Sequence, residues 1–319
     1  MREFAFELAV AASLEAATDG LVARQLGTRD RIVDLVEIEP GPDFSERTSL
    51  TAEPIPPLAI ESAVGVGTAR DPVEAIDTDP DHARSVADQA IEAGFFTAER
   101  RGSRRHVRQT ARYPDWFAGL HAYENKPDLD RPGDLERQLR KDVSLALFDT
   151  VTLVTDSYVT GAHRNRIPEV VGIVRFDAEH GETTVIRDAE PLSTETTGIA
   201  IGERSPARVD IEPIPSERKT ALRLRLAERA YGKGWRPDGL PPCTQADARG
   251  PPFASDDALP YCQWKGRFVH PTRECGPDCG GHEAAEPPPA DIDAVRAEKT
   301  PWEPDPPGAG RTQTSLDDF

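Results

Sequence analysis

The run FAGLHAY at residues 117–123 is apolar, and charged residues stand on both sides of it. Asp115 precedes the run, and Glu124 and Lys126 close it. A run of this length and composition predicts a buried β-strand. If the chain folds back near Gly119, a hairpin brings Asp115 opposite Glu124, and two carboxylates at that separation repel each other unless a cation lies between them. The stretch therefore predicts a bound cation at the end of a central strand.

Mg²⁺ is the cation that such an arrangement favours. It binds one or two carboxylates and completes its octahedron with water and phosphate oxygens. Lys126 lies two residues after Glu124, so both side chains lie on the same face of the strand. An ammonium group at that place can orient a water molecule or stabilise a pentavalent phosphate. The sequence thus predicts a catalytic Mg²⁺ or Mn²⁺ site.

Helical and strand patterns alternate around this stretch. In chain order they predict a helix over 3–18, a strand over 31–38, an insertion, a strand over 118–126, a helix over 133–147 and a strand over 150–155. This order predicts a mixed α/β core with the charged cluster at the end of a central strand. The predicted organisation is a core made of 1–39 and 111–190, an insertion at 40–110, a basic helical extension at 191–236, a Cys-rich module at 237–283 and a disordered tail at 284–319.

The signature Pro114-Asp115, eight residues, then Glu124-Asn125-Lys126 resembles the PD-(D/E)xK motif of the restriction-endonuclease-like nuclease superfamily, which includes RecB-type nucleases and Holliday-junction resolvases. The resemblance covers roughly residues 1–155. It implies an αβββαβ core and a metal-dependent deoxyribonuclease, in which Glu124 and an aspartate hold Mg²⁺ or Mn²⁺ and Lys126 positions the attacking water.

Two residues compete for the role of that aspartate. Asp34, in the middle of the strand RIVDLVEI, is the rival of Asp115. If Asp34 is the ligand, residues 40–112 are an insertion between the motif strands, and Asp115 only shapes a turn. The resemblance also implies a glutamate near the metal from the first helix, which is Glu7, and a glutamine from the helix after the ExK strand, which is Gln138.

Six arginines fall close together in a chain whose net charge is −18. They are Arg100, Arg101, Arg104, Arg105, Arg108 and Arg112. A helical pattern precedes them, and a Gly-containing turn lies among them, an order that resembles the recognition helix and wing of a winged helix. Arginines on a hairpin can lie along a phosphate backbone. The sequence therefore predicts that this winged-helix-like insertion binds DNA.

The four cysteines lie together in a segment rich in Gly and Pro. They are Cys243, Cys262, Cys275 and Cys279. Four thiolates in a segment with little apolar material suit a tetrahedral structural metal, whose binding energy folds the segment. Zinc is the first expectation, and a four-cysteine iron–sulfur cluster of the kind some RecB-type nucleases carry is the alternative.

The chain ends in QTSLDDF. Gln313, Leu316 and Phe319 resemble the PIP box with which replication and repair proteins bind the PCNA sliding clamp. One helical turn places the leucine and the phenylalanine on one face, and the glutamine anchors its start. The resemblance implies a clamp partner held by a disordered tail.

Acidic composition and scarce lysine are typical of halophilic proteomes, and the chain resembles an uncharacterised family from halophilic archaea. The apolar N-terminus carries Glu3, Glu7 and Glu15 and has no basic n-region, so it does not predict a signal peptide. No window approaches the length of uncharged apolar residues that spans a membrane. We therefore expect a cytoplasmic protein.

Taken together, these patterns predict a metal-dependent DNA nuclease in repair or replication, tethered to the sliding clamp. The alternative is a non-catalytic, DNA-binding clamp partner with a winged helix and a zinc module.

Overall fold

The fold was analysed in a computed structural model, which describes residues 3–28, 31–205, 208–237 and 239–308. Within these ranges, no helix is both long enough and apolar enough to cross a lipid bilayer.

The helices are α1 (Glu3–Ala17), α2 (Phe44–Leu50), α3 (Pro57–Ile60), α4 (Pro72–Ala75), α5 (Pro80–Glu92), α6 (Leu135–Leu145), α7 (Gly161–Arg166), α8 (Ser216–Lys233), α9 (Pro271–Glu274) and α10 (Ile292–Lys299). The strands are β1 (Leu21–Gly27), β2 (Ile32–Pro40), β3 (Phe96–Arg101), β4 (Arg104–Gln109), β5 (Phe117–Asn125), β6 (Thr150–Thr155), β7 (Gly172–Asp177), β8 (Glu182–Arg187), β9 (Gly198–Ser205), β10 (Arg208–Ile214), β11 (Ala246–Arg249), β12 (Leu259–Cys262) and β13 (Arg267–Phe268).

A central mixed sheet of six strands in the order β1-β2-β5-β6-β7-β8 forms the core. The strands β1, β2 and β5 form an antiparallel meander, β5, β6 and β7 run parallel, and β8 returns antiparallel. The parallel pair β5 and β6 is joined through α6, as a crossover between parallel strands requires. The predicted mixed α/β class is therefore confirmed.

Buried clusters cover both faces of this sheet. On one face, Phe6 and Leu8 of α1 pack against Val22, Leu35 and Val154. On the other face, residues of α6 and α8, among them Leu139 and Tyr231, pack against the apolar side chains of β2, β5 and β6. The central strands are thus buried from both sides, which explains their near-continuous apolar sequences.

The insertion between β2 and β5 has a core of its own. Thirteen buried residues form it, and they include Val86 and Ala90 of α5 and Phe96 and Val107 of the β3–β4 hairpin. Helix α5 begins after Asp79, whose side chain accepts hydrogen bonds from the Asp81 and His82 amides. The predicted order of a helix followed by a hairpin is present.

Two expectations about the central strands were wrong. The chain does not fold back at Gly119, because β5 continues without a break from Phe117 to Asn125 and pairs with β2 and β6 along its length. In addition, β1 over Leu21–Gly27 was missed, so the central sheet has three antiparallel strands, β1, β2 and β5, before α6.

The tail is not disordered over its described part. Helix α10 begins after Asp291, which caps the Ala294 amide. The Arg296 guanidinium lies 4.1 Å from the ring centroid of Trp302, and both side chains are buried. Further along, the Gly308 amide donates to Ser49 O at 2.9 Å. The prediction of a disordered tail from residue 284 is therefore wrong up to residue 308.

Candidate functional site

Asp34 and Glu124 meet at one edge of the central sheet. Leu35 pairs with Tyr123 across β2 and β5, and the same register places Asp34 level with Glu124. The Asn125 amide donates to Asp34 Oδ2 at 2.9 Å, which fixes the aspartate at the end of β5. Two carboxylates directly across an antiparallel pair repel each other unless their charge is compensated.

Glu7 of α1 joins this pair through Gln25 of β1. The Gln25 side-chain amide donates to Glu7 Oε1 at 2.9 Å and to Asp34 Oδ1 at 3.3 Å. Gln25 has a φ of 55°, in the left-handed region that non-glycine residues seldom adopt. Strained backbone of this kind is concentrated at functional sites, and here it belongs to the residue that links two acids.

On the other side, Arg31 connects Glu124 with Asp142 of α6. Its Nη2 lies 2.8 Å from Glu124 Oε2 and 3.0 Å from Asp142 Oδ2. We call Glu7, Asp34, Glu124 and Asp142 the acidic cluster. The side chains of Arg31, Glu124 and Asp142 are at most 8% exposed, so water screens their charges little.

Every carboxyl of the acidic cluster has a raised pKa. Burial, with the charge of Asp34 adding to it, raises the pKa of Glu124 to about 8 despite Arg31. Burial likewise raises the pKa of Glu7 to about 7 and that of Asp142 to about 6, and Asp34 adds to both. The pKa of Asp34 itself is raised, chiefly by burial. The cluster thus holds more buried acid than its neighbouring cations compensate.

Lys126 lies beside the cluster at the end of β5. Its Nζ is 3.2 Å from Glu3 Oε1 of α1, and 24% of its side chain is exposed. The Lys126 amide donates to Val154 O at 2.9 Å, so its backbone continues the pairing with β6. An ammonium that is partly exposed and adjacent to the acids can contact a bound anion.

Two predicted site residues do not join the cluster. Asp115 is exposed and lies before the opposite end of β5, where its amide donates to Asp43 Oδ2. Nine positions of extended chain separate it from Glu124 by about 30 Å, so the two cannot share one ion, and the assignment of Asp115 as its ligand is wrong. Gln138 lies on α6 one turn before Asp142, and Asp142 is the α6 residue that contacts Arg31.

Several buried polar atoms at this edge have no hydrogen-bond partner within the described residues. They are Nε and Nη1 of Arg31, Oδ1 and Nδ2 of Asn125, and Oδ2 of Asp142, which has only its ion pair with Arg31. Buried polar atoms without hydrogen-bond partners destabilise a folded protein and are rare in native structures. In the described ranges, however, no group of three or more His, Cys, Asp or Glu side chains is spaced to hold a metal ion. Gln25 and Arg31 occupy the positions between the acids.

The arginine island lies on the β3–β4 hairpin and just after it. Arg100, Arg101, Arg104, Arg105 and Arg112 are exposed, and Arg108 is partly buried. Three of them have acidic neighbours: Arg101 pairs with Glu99, Arg104 with Asp71 and Arg105 with Asp88. These ion pairs are exposed, and pairs of that kind are weak, so a phosphate could replace the acids.

The four cysteines surround one small cavity of about 10 Å³. Cys243 and Cys262 are buried, Cys275 and Cys279 are partly buried, and all four are free thiols. Burial, and the other three thiols in addition, raise the pKa of Cys275. The Nδ1 atom of His282, which also lines the cavity, has no partner within the described residues.

Three contributors to the site were missed from the sequence. They are Gln25, Arg31 and Asp142, and a signal existed only for Asp142, which is four residues after Gln138 on the same face of a predicted helix. The clamp-binding residues Gln313, Leu316 and Phe319 lie outside the described residues.

A family model described as "Family of unknown function (DUF5787)" matches residues 21–284. The matched span includes Asp34, Glu124, Lys126 and the four cysteines, but not Glu7. No curated protein and no solved structure matches the chain.

Proposed function

The chain belongs to this family of unknown function, DUF5787, and from the acidic cluster we propose that it is a metal-dependent DNA nuclease that hydrolyses phosphodiester bonds in repair or replication. The observation that carries the proposal is a set of four carboxyls with raised pKa values at the sheet edge where Lys126 lies. Perturbed carboxyls gathered beside a lysine are typical of catalytic sites.

The residues present suit a divalent cation. Carboxylate oxygens are hard ligands of the kind that Mg²⁺ and Mn²⁺ prefer, and Asp34 and Glu124 are the two that face each other across β2 and β5. The unpartnered Asn125 Oδ1 is a further oxygen at this edge. Asp34 and Glu124, with Glu7 assisting, would hold a divalent cation, which would supply Lewis-acid polarisation of the phosphodiester and neutralise its charge.

The remaining steps belong to side chains of the chain itself. In hydrolysis, the water oxygen forms a bond to phosphorus, the bond from phosphorus to the leaving sugar oxygen breaks, the water loses a proton, and the leaving oxygen takes up a proton from solvent. Lys126 orients the water and stabilises the negative charge of the pentavalent phosphate. Glu7, linked to Asp34 through Gln25, would accept the proton of the attacking water as a general base.

The order of elements supports a restriction-endonuclease-like core. Helix α1, strands β1, β2 and β5, helix α6 and strand β6 follow one another as αβββαβ. With Asp34 on the second strand and Glu124 and Lys126 at the end of the third, residues 40–112 become an insertion between the motif strands. This arrangement replaces Asp115 with Asp34 in the proposed motif.

The insertion is proposed to hold the DNA as a winged-helix-like unit. Its hairpin presents Arg100, Arg101, Arg104 and Arg105 to solvent, and its own core keeps it rigid. Gln313, Leu316 and Phe319 are proposed to bind the PCNA sliding clamp.

The proposal is tested by incubating labelled single-stranded, duplex, flapped and branched DNA with the full chain in high salt, with Mn²⁺, with Mg²⁺ and with EDTA. We expect cleavage of at least one substrate that needs the divalent ion and is lost in Lys126→Ala, while that variant still binds DNA. Absence of cleavage from all four substrates with both ions, although DNA is bound, would overturn it.

One observation favours the alternative, a non-catalytic DNA-binding clamp partner with winged-helix and zinc modules. Arg31 makes an ion pair with Glu124, one of the proposed metal ligands. In an adaptor this pair would be permanent, and Mn²⁺ would change neither the stability nor the DNA affinity of the protein. In the nuclease, the ion competes with Arg31 for Glu124.

A further inference from the structure

The cysteine lobe, residues 239–285, has little apolar material with which to fold alone. Its strands β11, β12 and β13 have four, four and two residues. Leu259 and Phe268 belong to the buried cluster around α1, and none of the three described clusters is confined to the lobe. A segment with so small a core commonly relies on a metal or on cross-links.

Three separate backbone segments bring the thiols to the same cavity. Cys243 precedes β11 and pairs with Ala284, and Cys262 ends β12. Cys275 and Cys279 follow α9 in a turn that the Cys279 amide closes on Gly276 O at 3.0 Å. Their common cavity of about 10 Å³ has room for about one small atom, which favours a single ion over a larger cluster.

Cations lie next to these thiols. Lys265 lines the same cavity and donates to Glu274 O at 2.9 Å. Arg267 makes an ion pair with the side chain of Glu274, the residue directly before Cys275. Four thiolates around a divalent ion leave a net negative charge, and adjacent cations stabilise such a centre.

We propose that the cysteine lobe binds one zinc ion through Cys243, Cys262, Cys275 and Cys279, and that this ion fixes the position of the first turns of α1. The four thiols line the cavity but are not spaced as the ligands of a bound metal. Zinc binding would therefore draw them inward to zinc–sulfur distances of about 2.3 Å. The unpartnered Nδ1 of His282 at the cavity is a further polar group that such a centre would satisfy.

The link from the lobe to α1 is a short series of contacts. The His270 ring, at the start of α9, lies 5.0 Å from the Phe4 ring between centroids. The Arg24 guanidinium lies 5.2 Å from the centroid of the same Phe4 ring. Arg24 Nη1 is in turn 3.4 Å from Glu7 Oε1. A lobe that loosens without zinc therefore releases Phe4, and with it the turn that carries Glu3 and Glu7.

The proposed zinc site does not depend on the proposed nuclease activity, and it is tested without measuring DNA cleavage. The full chain is purified without added metal, and its zinc, iron and acid-labile sulfide are measured. We expect one zinc ion per chain, no iron, and loss of zinc in Cys262→Ser and Cys275→Ser. Asp278→Asn, an exposed change in the same loop, keeps the zinc. If the serine variants fail to fold, zinc released from the wild-type chain by a thiol-blocking mercurial provides the stoichiometry.

The coupling to α1 is measured by hydrogen exchange before and after the zinc is removed with a chelator. We expect the amides of residues 5–10 to exchange at least about tenfold faster without zinc, as expected when a local unit opens more often. The exchange rates of the β3 and β4 amides should remain unchanged, because these strands belong to the separate core of the insertion. Zinc absent from the purified chain, or iron with sulfide in its place, overturns the site, and unchanged exchange in α1 overturns the coupling.

Discussion

Replacing Glu124 with glutamine should stabilise the metal-free protein at pH 8, although it removes a proposed catalytic residue. The pKa of Glu124 is raised from 4.5 to about 8 because the carboxyl is buried next to Asp34. Between these two pH values the folded state keeps a proton that the unfolded state has lost. The free energy of unfolding therefore falls as the pH rises through this window. Glutamine resembles the protonated acid and does not bear this cost.

The size of this stability difference follows from how far the pKa of Glu124 is raised. At about 1.4 kcal/mol per pKa unit, the shift from 4.5 to about 8 corresponds to an upper bound of about 5 kcal/mol, which is reached only above pH 8. Asp34 and Asp142 act on the same site, and neutralising one acid lets the others ionise more easily. We therefore expect Glu124→Gln to be about 2 kcal/mol more stable than the wild type at pH 8 and nearly equal to it at pH 5.

Guanidinium unfolding without added divalent ions, followed by tryptophan fluorescence at pH 5, 6.5 and 8, measures this difference. The matched control is Asp115→Asn, which removes a carboxyl from an exposed residue at the far end of β5 and should change the stability little at any of these pH values. Added Mg²⁺ should stabilise the wild type at pH 8 and have little effect on Glu124→Gln. A Glu124→Gln variant that is no more stable than the wild type at pH 8 would refute the reasoning.

Three further outcomes are expected. Replacing Arg104 and Arg105 with serine should weaken DNA binding and lower the salt slope of log Kobs by about 2, because two phosphate contacts are lost, as a salt titration by fluorescence anisotropy would show. At Mg²⁺ concentrations well below saturation the cleavage rate should rise with pH and level off near pH 8, since a proton on Glu124 competes with the ion, and a flat profile from pH 6 to 9 would contradict this role. Trp302→Ala should destabilise the fold by about 3 kcal/mol because the ring is buried, whereas Trp264→Ala, at a 64% exposed position, should change the unfolding midpoint little.

The sequence predicted the elements whose apolar pattern is strong. Helix α1 and strands β5 and β6 lie where their patterns placed them, within two residues at each end. Strand β1 was missed because Arg24 and Gln25 interrupt its apolar run and Gln25 leaves the extended conformation. Polar residues that belong to a functional site interrupt the alternation of apolar and polar residues on which a strand prediction depends.

The choice between Asp34 and Asp115 depended on register, which a single sequence does not contain. Both aspartates lie near predicted strands, and only the pairing of β2 with β5 across a long insertion brings one of them to Glu124. The prediction that the tail is disordered was wrong over its described part for a related reason. Its Pro-rich composition indicates disorder, but Arg296 and Trp302 are buried through contacts with residues far away in sequence, such as Tyr231 and Ala52. Long-range contacts of this kind can order a segment whose composition indicates disorder.

The most direct test of the proposed nuclease compares two aspartates on one substrate. Single-turnover cleavage of the preferred DNA with Mn²⁺ is measured for the wild type, Asp34→Asn and Asp115→Asn. A cluster built on Asp34 and Glu124 predicts that Asp34→Asn is slower by about 100-fold or more, while Asp115→Asn cleaves at the wild-type rate. Loss of cleavage in Asp115→Asn with full activity in Asp34→Asn would contradict the proposed site.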